Sequence, residues 1–71
     1  MNRDILKGQW TQLKGKMREQ WGKLTDDDVD RMQGNAEMAI GKLQERYGWS
    51  KEQAERDFDA WLQRQETRKA S

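Results

Sequence analysis

The chain contains no cysteine, no histidine and no proline. Without cysteine there is no disulfide and no thiolate nucleophile. With histidine missing too, the usual general base near neutral pH and the common zinc ligands are gone. Without proline, no helix is obliged to kink or stop. Apolar runs are scarce: none exceeds three residues, as in Met38-Ala39-Ile40, against roughly 20 residues needed to span a bilayer. No apolar stretch follows a basic start, so no signal peptide and no membrane association are expected, and the cytoplasm is the expected location. Glycine-rich phosphate loops of the GxGxxG or GxxxxGK[ST] type do not occur.

What is present is charge and helix periodicity. The 71 residues are 38% charged and 32% hydrophobic, with a net charge of +1 and four tryptophans. A chain of this length is one domain, and such domains bury only about 60% of the unfolded surface. The composition leans toward disorder, but the near-zero net charge and the tryptophans argue for a small real core. A folded domain of modest stability is expected over residues 1–66, with 67–71 as a frayed polar tail.

The stretch Leu13 to Gly22 (LKGKMREQWG) returns 26 positions later as Ala39 to Gly48 (AIGKLQERYG). Gly15 matches Gly41, Lys16 matches Lys42, Met17 matches Leu43, Glu19 matches Glu45, Trp21 matches Tyr47, and upstream Gly8 matches Gly34. A repeated segment is one supersecondary unit used twice. Within it, Leu6, Trp10, Leu13, Met17 and Trp21 recur at three- and four-residue spacing, predicting one helix over 3–21 with Asn2 as its cap and Gly22 closing it in a left-handed conformation. Thr25 and Asp28 are spaced as a capping box, and Asp26, Asp27 and Asp28 complement a helix dipole. Val29, Met32, Ala36, Ile40, Leu43 and Tyr47 form a stripe that stays in register through Gly34-Asn35. One helix over 26–47 is thus open, but two helices, 26–33 and 36–47, suit a small core better. Ser50 with Gln53 repeats the capping signal before a helix over 51–65. No stretch alternates with period two. The fold class expected is all-α: four helices arranged as two packed hairpins, related by internal duplication.

Gly8 and Gly15 lie seven apart on helix 1, opposite its apolar stripe, and Gly34 and Gly41 repeat the arrangement. Interior helical glycine costs about 0.5–1 kcal/mol relative to alanine. Either a partner's backbone approaches this smooth side or the helices are marginal or kept soft; the sequence leaves both open.

Charge is unevenly placed. Residues 1–25 hold Arg3, Lys7, Lys14, Lys16, Arg18 and Lys23 against Asp4 and Glu19, whereas 26–37 hold Asp26, Asp27, Asp28, Asp30 and Glu37 against Arg31. The simpler reading is a basic helix lying beside an acidic one. The sharper reading is a face of Arg3, Lys7, Lys14 and Arg18, flanked by Trp10 and Trp21, for the phosphates and bases of a nucleic acid. The sequence pI of about 8.0 falls below the value above 9 common in such domains. Lysines bordering an apolar stripe also cover cores. Carboxylate pairs such as Glu19 with Glu45 or Asp57 with Asp59 are the remaining acid–base option, on helix faces that offer no cavity to shift their pKa. The Asp26–Asp28 triplet does not converge on a metal, because consecutive helical side chains diverge by about 100°. No catalytic, cofactor or metal residues are expected. The candidate interaction face comprises Arg3, Lys7, Lys14 and Arg18 with Gly8 and Gly15.

The run GQWTQLKGKMREQWGKLTDDD, followed by GKLQERYG and an acidic–basic final helix, resembles the CsbD-like family of small bacterial stress-response proteins over residues 4–62. The resemblance implies four helices in an arrangement similar to SAM-domain-like folds, production under general stress, and no established biochemical activity. It brings no catalytic or ligand residues. The family looks like the hydrophilins, very hydrophilic proteins linked to tolerance of water deficit, and a mean hydropathy of −1.39 is consistent with this. Where the family commonly has Gly-Lys-Arg opening its second repeat, this chain has Gly34-Asn35-Ala36, which weakens anion binding there. A non-enzymatic monomer making weak macromolecular contacts is the expectation; a small module binding nucleic acid or a protein partner is the alternative.

Overall fold

The structure, a computed structural model, describes residues 3–70, with side chains through Gln65. The helices are α1 (Asp4–Gly8), α2 (Trp10–Gln20), α3 (Asp26–Met32), α4 (Ala36–Tyr47) and α5 (Lys51–Ala70). There is no strand among the described residues. α2 pairs with α3, α3 with α4 and α4 with α5, so the duplicated unit is a helix pair used twice. The Asn2 cap expected from the sequence lies outside the described residues.

The helix expected over 3–21 is divided. Gln9 (φ −122°, ψ 30°) leaves helical geometry between α1 and α2. Hydrogen bonding persists across it: Gln9 N–H donates to the Ile5 carbonyl at 3.0 Å and Leu13 N–H to the Gln9 carbonyl at 2.9 Å. Leu6, on the turn before the break, is wholly buried. α5 in turn runs to Ala70, past the 51–65 expected, because backbone hydrogen bonding continues beyond the last core residue, Leu62.

The two repeats close differently. Gly48 (φ 71°) ends α4 in the left-handed conformation, its N–H donating to the Gln44 carbonyl at 2.8 Å. Gly22, expected to do the same, is not left-handed. Instead Trp21 turns extended (φ −121°, ψ 90°) and its N–H donates to the Met17 carbonyl. That turn drives the indole into the core, where it is 4% exposed. Its repeat counterpart, Tyr47, stays half-buried on the last turn of α4 and stacks on Trp49, ring centroids 4.6 Å apart.

Thr25 begins α3 with a complete capping box: its Oγ1 accepts from Asp28 N–H, and the Asp28 carboxylate accepts from Thr25 N–H, both at 3.1 Å. Asn35 caps α4 by accepting from Met38 N–H. Ser50 Oγ accepts from Gln53 N–H at 3.1 Å, while the Gln53 amide donates forward to Asp57. The second box is therefore a one-way cap.

The α3–α4 boundary resolves the choice between one helix and two. Gln33 (φ 49°) and Gly34 (φ 81°) are successive left-handed residues. Gly34 is buried rather than on a smooth helix side: a Cβ there would sit 2.8 Å from the Lys7 Cα. This backbone approach is made within the chain, between the turn and α1.

The core draws on every helix: Leu6, Leu13, Met17, Trp21, Leu24, Val29, Met32, Ile40, Leu43, Phe58, Trp61 and Leu62 are all buried. Its aromatic centre joins the two halves, with Trp21 5.2 Å from Trp61 and 6.4 Å from Phe58 by ring centroid. Such clusters add about 0.5–1.5 kcal/mol per pair beyond burial.

Candidate functional site

The basic face predicted on the first helix is largely spoken for. The Arg3 guanidinium donates from Nε and Nη2 to the two oxygens of Asp59 on α5, both at 2.9 Å. Lys14 pairs with Asp30 at 3.4 Å and Arg18 with Asp26, both on α3. The basic helix lies beside an acidic one, as the simpler reading of the charge distribution had it. Lys7 lies where α1 meets the α3–α4 turn, lining a depression of about 280 Å³ with Arg31, Gln33 and Met38. Trp10 is half-buried against the core, and Trp21 is fully in it and offers no open face for base stacking.

Gly8 and Gly15 are exposed, and a Cβ at either would meet nothing within 4 Å; the same holds for Gly41. No packing inside the molecule requires glycine at these three positions.

The members of the acidic triplet diverge, as the helix geometry requires. Asp26 pairs with Arg18 on α2, Asp27 with Arg31 one turn on, and Asp28 with Arg46 on α4. No metal-holding group of acidic side chains occurs among the described residues. Three of the four carboxylates considered for acid–base work are engaged elsewhere: Glu45 with Lys42, Asp57 with Gln53 and Asp59 with Arg3.

Asp28 is the residue that sequence reasoning undervalued. It is 3% exposed. Its carboxylate accepts from Arg46 Nε at 2.9 Å and Nη2 at 3.0 Å, and from Thr25 N–H, while the Lys42 ammonium lies 3.7 Å away. The Arg46 hydrogen bonds above all, then the Thr25 N–H, hold its carboxyl well below the usual carboxylate range against the opposing effect of burial. The Arg46 guanidinium is raised in return. The capping box was visible in sequence; the partner eighteen residues away was not. Asp28 thereby joins helix start, core edge and second repeat, a structural role.

Two further depressions, each about 230 Å³, are lined by Glu37, Ile40, Gln44, Lys51 and Glu55 and by Lys16, Glu19, Gln20, Trp61 and Gln65. All three fall below the roughly 300–1,000 Å³ of ordinary ligand pockets. No helix among the described residues is long and apolar enough to cross a membrane.

The family model described as CsbD-like matches residues 4–56. This chain belongs to the CsbD-like family. The UPF0337 protein PA4738 of Pseudomonas aeruginosa is 62% identical over 61 residues, covering 82% of this chain and 94% of the relative. The UPF0337 protein YjbJ of Escherichia coli K12 is 52% identical over 68 residues, covering 96% and 99%. The UPF0337 protein XAC4007 of Xanthomonas axonopodis pv. citri is 56% identical over 61 residues, covering 86% and 88%. The resemblance seen in GQWTQLKGKMREQWGKLTDDD and GKLQERYG is therefore one of family.

Proposed function

We propose that this CsbD-like chain is a non-enzymatic, cytoplasmic stress-response protein that shields or weakly contacts other macromolecules through its charged helical surface. The observation that carries this reading is the contrast between a small sealed core and an outer surface rich in charge. That surface bears helical glycines at 8, 15 and 41 around which a side chain would find open space. Such a surface stays hydrated while making many weak contacts. Nucleic-acid binding through Arg3, Lys7, Lys14 and Arg18 is the weaker reading. A phosphate would have to displace Asp59, Asp30 and Asp26 from three of the four cations.

The test is to dry or freeze a labile enzyme with this protein or with an equal mass of inert protein, and to compare recovered activity. Recovery no better than with the inert protein ends the shielding proposal. Titration with short DNA at low and physiological salt decides the weaker reading. Binding there must fall steeply with salt and be lost on charge reversal at Lys14 and Arg18.

A further inference from the structure

The contacts that close this fold are divided by one short hinge. Residues 3–32 and 36–65 meet through Trp21 with Phe58 and Trp61, through Arg3 with Asp59, and through Asp28 with Arg46. The connection between the halves is Gln33-Gly34-Asn35. It holds a left-handed Gln33, a conformation that strains a residue with a side chain, followed by a left-handed Gly34. The apolar stripe of Val29, Met32, Ala36, Ile40, Leu43 and Tyr47 nevertheless continues through the hinge in helical register. The same residues are therefore patterned for one straight helix over 26–47, about 33 Å long.

We infer that a second copy of this chain is a partner for it, through exchange of halves about a straightened Gln33–Asn35 hinge. In the straight helix, Asp28 and Arg46 are eighteen residues apart, about 27 Å along the axis, and the pair cannot close within one chain. It closes between chains, as does every contact between the halves. Residues 3–32 of one copy pack on 36–65 of the other, in two equivalent lobes. Only the hinge changes: the left-handed pair is released, the contact of Gly34 with Lys7 is given up, and the N–H groups at the start of α4 gain helical partners in place of the Asn35 cap. A short strained hinge between two halves that share one core is the arrangement that favours such exchange. Because two chains combine, concentration drives it.

Two substitutions push the hinge in opposite directions. Gly34→Ala places a Cβ against the Lys7 Cα and disfavours positive φ, so it opposes the closed turn while improving the straight helix. Gln33→Gly relieves the turn and weakens the helix. Light scattering on the full chain, from micromolar to millimolar, should give twice the monomer mass for Gly34→Ala at concentrations where Gln33→Gly is monomeric, with the unsubstituted chain between them. The absence of cysteine permits a direct reading of connectivity. In the double variant Arg3→Cys/Asp59→Cys, equilibrated at millimolar concentration, a flexible bismaleimide should link chain to chain. A Gly34→Ala protein that is monomeric, or unfolded at every concentration, overturns the inference. So do links confined within single chains at millimolar concentration, which would show an unopened fold or ordinary side-by-side association.

Discussion

Asparagine in place of Asp28 removes one negative charge from a site that is 3% exposed and accepts two hydrogen bonds from Arg46. A hydrogen bond to a charged group contributes about 1.5–3 kcal/mol. The full penalty for stranding a buried partner, about 3–5 kcal/mol, does not apply, because the Arg46 side chain is 39% exposed and rehydrates. The substituted amide keeps an oxygen for Thr25 N–H, and the Asp28 N–H bond to Thr25 Oγ1 is made by the backbone and survives the change. The expected loss is about 2 kcal/mol, which lowers Tm by about 8–16 °C in a domain of this size. The pH dependence is more diagnostic. The folded-state pKa of Asp28 is depressed, so its stabilisation is complete above the unfolded value of about 3.9 and fades as pH falls toward the folded value. Followed by circular dichroism, the gap between the parent and Asp28→Asn should be constant from about pH 5 to pH 8. It should shrink by more than half by about pH 2. A loss below about 0.5 kcal/mol, or a gap that does not change with acid, would refute the assignment of Asp28 as the electrostatic link between the repeats.

The open glycines give an opposite sign: Gly15→Ala with Gly41→Ala should stabilise by about 1–2 kcal/mol together, read as a higher urea midpoint at unchanged slope. If the softness of these helices matters to protection, that variant should also protect a drying enzyme less well. Trp21→Ala should cost about 3–5 kcal/mol and unfold much of the population. Tyr47→Ala, its repeat counterpart, should cost less than half as much, since Tyr47 is only half-buried; equal losses would contradict the burial difference between the repeats. Arg3→Ala should cost less than about 1 kcal/mol, with a smaller loss at high salt, because both side chains of the Arg3–Asp59 pair are about a third exposed.

Helix content, the apolar face of each helix, the Thr25 box and the family could all be read from the chain. The first three rest on information within about seven residues: the three- and four-residue recurrence of Leu6, Trp10, Leu13 and Met17, or a cap three positions before its N–H. The candidate basic face was equally legible as a cluster, since Arg3, Lys7, Lys14 and Arg18 share one arc of the helix expected over 3–21. Its occupation by Asp59, Asp30 and Asp26 was not, because ion-pair choice depends on which helices come to lie alongside.

The tertiary structure decided what local periodicity leaves degenerate. Residues 26–47 satisfy one helix or two; the break at Gln33-Gly34 follows from closing one core across both repeats, with Gly34 seated against the Lys7 backbone. Gly22 and Gly48 are matched in the sequence, yet only Gly48 is left-handed, because the indole of Trp21 is drawn into the aromatic centre while Tyr47 stays on the rim. Asp28 reads as a dipole cap and becomes the buried partner of Arg46. Sequence thus determined the units, since helix formation is a local matter of backbone bonds and side-chain period. Packing determined the bend, the asymmetry and the charge partners, since burial and desolvation arise only when the units meet.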